Sequence, residues 1–188
     1  MTRIELFKQD ADTKNPLDGA VYGIYTDSKC EHLLMEMPVT GEEGKAVSDY
    51  FEVAIKTVYV KEIKAPDKYA QSDVIHKVDV EAGKTVTISA TDERVRGAVH
   101  IQKFDKETQA FLPQGDSSLA GAVYGLYARE DIVHPDGKTR VLFKKDSLIA
   151  QGVIKEDGTL DFFRIVSGKN VCERDHSAGR LYGRSNRV

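Results

Sequence analysis

The chain has 188 residues, 30% charged and 40% hydrophobic, with a formal net charge of −3; this suits one large or two small domains of ordinary soluble composition. No basic bias favours nucleic acid or an anionic membrane, no apolar run is long enough to span a bilayer, and residues 1–5 do not read as a signal peptide. Two cysteines, Cys30 and Cys172, form no disulfide framework, and the five histidines (His32, His76, His100, His134, His176) lack metal spacing.

In chain order, the first strand-like run is Ile4-Glu5-Leu6-Phe7-Lys8-Gln9-Asp10, followed by Leu17-Asp18-Gly19-Ala20-Val21-Tyr22-Gly23-Ile24-Tyr25. Alternating runs then predict strands over residues 57–62, 74–80 and 85–92. Residues 92–97 form a short charged junction. Beyond it the opening pattern returns, as Val99-His100-Ile101-Gln102-Lys103-Phe104-Asp105 and Leu119-Ala120-Gly121-Ala122-Val123-Tyr124-Gly125-Leu126-Tyr127. The second copy has a longer connection through Phe111-Leu112-Pro113-Gln114-Gly115-Asp116. A repeat of about 100 residues is domain-sized rather than solenoid-sized. A further strand is predicted over residues 141–144, and Asp-Gly pairs at Asp18, Asp136 and Asp157 mark turns. No long amphipathic helical pattern is present, so the fold class is all-β.

Side chains on a strand alternate faces. Ile4, Leu6 and Lys8 therefore share a face, as do Val58, Val60 and Glu62, and Val86, Ile88, Ala90 and Asp92. Each apolar set ends in an ionisable residue, which leaves two readings open. The three are rim charges, with lysine extending its head to water; or they are buried together. Burial disfavours the charged forms of amines and acids. A neutral amine beside a neutral carboxyl, with a second acid to move protons, can condense to an amide when apolar walls fix the encounter. The product would be a Lys8–Asp92 isopeptide bond, with Glu62 as proton shuttle.

These residues also resemble the SpaA-like or Cna-B-type (prealbumin-like) domains of Gram-positive pilins and cell-wall-anchored adhesins. The family opens V-x-L-x-K-x-D, then x-x-T-x-x-x-L-x-G-A-x-[FY]; Ile4 to Tyr22 follow that pattern. Its next motif, Y-x-[VL]-x-E-x-x-A-P-x-G-Y, is similar to Tyr59-Val60-Lys61-Glu62-Ile63-Lys64-Ala65-Pro66-Asp67-Lys68-Tyr69, with Lys68 where glycine is usual. The closing N-x-P-x-x-G corresponds to Asp92-Glu93-Arg94-Val95-Arg96-Gly97, with aspartate where asparagine is commoner. The resemblance covers residues 3–97 fully and 97–162 in part. It implies two tandem Ig-like, prealbumin-like β-sandwich modules, residues 1–96 and 97–162, the second incomplete. It also implies Lys8 as isopeptide amine, Glu62 as catalytic acid and Asp92 as acceptor. Lys103 is the second module's lysine, without a partner in this chain.

Residues 163–188 differ from what precedes them. Their five arginines (Arg164, Arg174, Arg180, Arg184, Arg187) equal the number in the preceding 162 residues, and strand alternation is missing. One reading is a disordered tail. The other is a frameshift. With suitable synonymous codons, removing one T near Phe163 turns the tail into S-G-L-Y-L-G-K-M-Y-V-K-E-I-I-P-P-E-G-Y, the family's glutamate strand. Cys172 would then be an artefact of the shifted frame.

No G-x-S-x-G elbow, P-loop or dinucleotide fingerprint is present. The chain is therefore expected to be no enzyme, with no cofactor and no metal; the Lys8 reaction would occur once per molecule. The resemblance implies a structural stalk module, outside the cell at the wall or surface. Its partners would be neighbouring modules of the same protein, other pilin subunits or host matrix proteins, with no nucleic acid and no membrane contact. The alternatives are a module binding host matrix or glycan through loops such as residues 128–140, or an accessory module of a secreted enzyme.

Overall fold

The computed structural model describes residues 1–52, 54, 56–107, 118–166 and 171–175. The connection through Phe111 to Asp116 and the residues from His176 onward lie outside them. The chain divides into two compact units, Met1–Val95 with Pro135–Thr139, and Arg96–His134 with Arg140–Val188. The described residues contain no helix, in agreement with the all-β expectation.

Among the described residues, the first unit has seven strands: β1 (Arg3–Asp10), β2 (Val21–Tyr25), β3 (Leu33–Glu36), β4 (Lys45–Val47), β5 (Thr57–Lys64), β6 (Ile75–Asp79) and β7 (Thr85–Asp92). One sheet runs β4-β1-β7 and the other β3-β2-β5-β6. Between them lies a core of Ile4, Leu6, Tyr22, Ile24, Val58, Val60, Val78 and Ala90, with smaller neighbours. The period-two pattern explains why these segments are strands. In β1 every even position from Ile4 to Asp10 is buried, and in β5 every even position from Val58 to Glu62. Burying one such face of apolar side chains, at roughly 25 cal/mol per Å² of apolar surface, supplies the main drive for the sandwich.

β1 and β7 are parallel neighbours over their whole length, with Lys8 opposite Ala90 and Asp10 opposite Asp92. β2 and β5 are antiparallel, with Tyr22 opposite Glu62. The turn entering β2 is pinned by Thr40: its hydroxyl donates to the Leu17 carbonyl at 3.0 Å and accepts from the Ala20 amide at 2.9 Å. Gly19 sits in that turn at φ +88°, a conformation glycine adopts without penalty. The Leu-x-Gly-Ala stretch is thus a device that aims Tyr22 into the core.

The described residues of the second unit form β8 (Arg96–Gln102), β9 (Val123–Ala128), β10 (Ile132–Val133), β11 (Val141–Phe143), β12 (Leu148–Val153), β13 (Thr159–Val166) and β14 (Val171–Asp175). β8 pairs with β13, β10 with β11, and the third sheet runs β12-β9-β14. Ile101, Leu126, Ile154, Leu160, Phe162 and Ile165 form its core.

Strand structure extends past residue 162, where the sequence lacks alternation. A bulge in β13 between Phe162 and Ile165, with Arg164 at φ +55°, shifts the parity. Phe162 and Ile165 are buried whereas Phe163 is 73% exposed. An inserted residue of this kind erases the period-two signal without ending the strand. β14 lies along the edge of β9 that corresponds to the edge β5 takes on β2.

Candidate functional site

Two residue pairs, one from each sheet of the first unit, meet at one end of its core. β1 and β7 bring Lys8 and Asp92; β2 and β5 bring Tyr22 and Glu62. All four are at most 2% exposed. Lys8 Nζ lies 2.5 Å from Asp92 Oδ1, 2.8 Å from Glu62 Oε1 and 2.6 Å from the Tyr22 hydroxyl oxygen. The three ionisable residues marked by alternation are therefore brought together and are not rim charges. Lys103 lies just beyond β8, half-buried, its amide bonded to the Gly158 carbonyl at 2.9 Å.

The surroundings fix each group. Glu62 Oε2 accepts from the Ser72 amide at 2.8 Å, while Gln71 Nε2 donates to the Glu62 backbone carbonyl at 3.0 Å. Burial pushes the Asp92 carboxyl up to about 6; the Lys8 ammonium opposes that shift and the neighbouring Glu62 adds to it. Burial, with Glu62 and Asp92 nearby, also holds the Tyr22 hydroxyl well above the ordinary tyrosine range, so it keeps its proton. Taking charges out of water is costly unless they are paired. A lysine with two acids in such a site is under pressure either to neutralise or to react.

Two residues of this neighbourhood escaped the sequence reading. Tyr22 was visible only as the aromatic position of the Gly-Ala-x-aromatic motif, where the ring rather than the hydroxyl carries the pattern. Asp10 shares the parity of Lys8, and alternation extended two residues would have found it. It is 1% exposed. Its Oδ1 accepts from the Asp12 and Thr13 amides at 2.7 and 2.8 Å, and its Oδ2 from the Tyr69 hydroxyl at 2.7 Å. Tyr69 in turn bridges to Arg94, and the Ala70 amide bonds to the Glu93 carbonyl at 2.9 Å. The loop after β5 thereby clamps the end of β7 that carries Asp92. Lys68, standing where glycine was expected, takes the left-handed conformation the turn demands, φ +67°.

A model of the SpaA family, described as a prealbumin-like fold domain, matches residues 2–94. Among solved structures, the Bacillus anthracis TIE protein aligns with a TM-score of 0.59 and 20% identity, over 92% of this chain and 27% of that one. The streptococcal ancillary pilin gives a TM-score of 0.43 and 16% identity, over 96% and 60% of the two chains. The shaft pilin SpaA from Lactobacillus rhamnosus GG gives 0.41 and 12%, over 95% and 88%. At these identities the likeness to the TIE protein speaks for the fold alone, and this chain spans about a quarter of its length. No curated protein matches the chain.

Proposed function

We propose, given that residues 2–94 belong to the family of SpaA prealbumin-like fold domains, that this segment is a structural module of a surface or pilus stalk, closed by an amide between Lys8 and Asp92. The supporting observation is the buried meeting of Lys8 Nζ with the Asp92 carboxyl at 2.5 Å, with Glu62 at 2.8 Å from the same nitrogen. Reacting atoms held at such separations gain a large effective concentration.

In the reaction, a bond forms between Lys8 Nζ and Asp92 Cγ, and one Cγ–O bond breaks. Starting from ammonium and carboxylate, the nitrogen gives up two protons, which leave with one Asp92 oxygen as water. Glu62, beside both partners, takes a proton from the nitrogen and returns it to the departing oxygen. No cofactor enters the balance, and the site is consumed, so the module is not an enzyme. Asp92 in its carboxyl form is the better electrophile, and its raised affinity for protons favours that form. Neighbouring modules and other stalk subunits at the cell surface are the partners this role implies.

The test is an intact mass of the full chain beside a Lys8→Ala variant. The wild type should be lighter than its sequence by one water and the variant should not, with a Lys8–Asp92 branched peptide after proteolysis. Equal agreement of both chains with their sequences would reduce the site to an unreacted buried ion cluster.

For the second unit we propose that residues 163–188 are read out of frame. β14 runs antiparallel along β9 as β5 runs along β2. The shifted frame would supply Tyr-Val-Lys-Glu to this strand. In the chain as it stands, Lys103 remains an unreacted amine. Sequencing the DNA across Phe162 and Phe163 should reveal one missing or extra nucleotide relative to closely related genes; an undisturbed frame sinks the idea.

A further inference from the structure

Lys8 Nζ has three polar neighbours, and the amide proposed above accounts for only two of them. The third is the Tyr22 hydroxyl, whose oxygen accepts from Lys8 at 2.6 Å. A neutral amine has two N–H bonds and one lone pair in tetrahedral array. Attack on Asp92 requires the lone pair to face the Asp92 carbon, so both N–H bonds must point elsewhere. The Glu62 carboxylate, 2.8 Å from the nitrogen, is placed to take one. The other goes to Tyr22.

We propose that the Tyr22 hydroxyl is a positioning residue for the cross-linking step, holding one Lys8 N–H so that the nitrogen lone pair faces Asp92. This rests on the Lys8–Asp92 amide reading. The placement follows from register: Tyr22 stands directly opposite Glu62 on adjacent strands, so the hydroxyl and the carboxyl approach Lys8 from one sheet while Asp92 approaches from the other. The hydroxyl keeps its proton in this environment. It can therefore accept from Lys8 and donate to Glu62 at the same time, which ties the orientation of the nucleophile to that of the proton carrier. A phenylalanine ring fills the same space and satisfies the same apolar neighbours, but leaves the amine free to turn about its Cε–Nζ bond.

The experiment follows water loss by intact mass in freshly synthesised full-length chains, quenched in acid at intervals, with folding monitored separately by tyrosine fluorescence. Wild type, Tyr22→Phe and Glu62→Gln are compared across a pH series. Loss of one oriented hydrogen bond should slow Tyr22→Phe about tenfold after folding is complete. The midpoint of its pH profile should also move, because the hydroxyl sits against the Lys8–Asp92 pair, whose carboxyl burial pushes up to about 6. A Tyr22→Phe rate and pH profile equal to those of wild type would overturn the proposal, including the case where only the melting temperature falls, since that marks a packing role. If wild type itself never loses water, the amide reading fails first, and the positioning role fails with it.

Discussion

A Glu62→Gln chain should keep its full sequence mass and melt about 20 °C below wild type. Glutamine preserves the volume of the buried side chain and can still accept from the Ser72 amide, but it cannot carry a proton from Lys8 to the departing Asp92 oxygen. The uncross-linked module then folds around the same core with the same sheets. What it would lack is the covalent closure proposed between Lys8 and Asp92, residues 84 apart in sequence. Chain-entropy arguments give about 4.5 kcal/mol for closing a loop of that size. At roughly 4–8 °C per kcal/mol for a domain of this length, the expected shift is tens of degrees, and strain in the closed form brings it toward the lower end. Scanning calorimetry of the two chains, with mass spectrometry of the same samples, checks both halves. Coincident transitions of a cross-linked wild type and an uncross-linked variant would mean that the bond does not govern thermal stability.

Gly44→Ala should destabilise the first unit by about 3 kcal/mol. Gly44 follows the turn before β4 at φ +69°, a region costly for any residue with a Cβ. Its carbonyl accepts from the Lys8 amide at 2.7 Å. A Cβ there would drive into the Lys8 carbonyl oxygen, and would also lie 3.0 Å from Pro16 Cβ and 3.1 Å from the Leu17 nitrogen. The Lys8 carbonyl cannot simply retreat, because the Leu17 amide holds it at 3.0 Å. The strain therefore falls on the backbone that presents the Lys8 side chain. Urea unfolding in a Glu62→Gln background isolates the folding cost. An effect within about 0.5 kcal/mol, the range of an ordinary surface change, would mean that the turn relaxes without disturbing β1.

Alternation was a sufficient guide wherever a strand buries one face against the core. It located β1, β5 and β7 and placed Lys8, Glu62 and Asp92 on their inward faces, since a one-residue slip would have turned all three to solvent. It was silent on β3 and β4. Leu33 and Leu34 of β3 are both exposed to a similar degree, and β4 is three residues long with only Ala46 buried, so neither offers a clean two-residue rhythm. The continuation of β13 was hidden for a different reason, the bulge at Phe163 and Arg164. Tyr22 was legible as a core aromatic, but its hydroxyl acquires meaning only from the cross-sheet meeting with Lys8, which no local pattern encodes. The Asp10–Tyr69 clamp joins residues 59 apart in sequence, and only the folded chain brings them together.

The parallel pairing of β1 with β7 also fixes how the unit would respond to being pulled by its ends. The start of β1 lies at one end of the pair, beside Thr85, and the end of β7 lies at the other, beside Asp10. Tension between them slides the two strands past each other, so the ladder is loaded in shear, all rungs at once, rather than peeled open one rung at a time. With Lys8 joined to Asp92, even that sliding stops after the first few residues. The segment between them, a contour of roughly 280 Å at full extension, would never be released, and the module would transmit load as a nearly inextensible link.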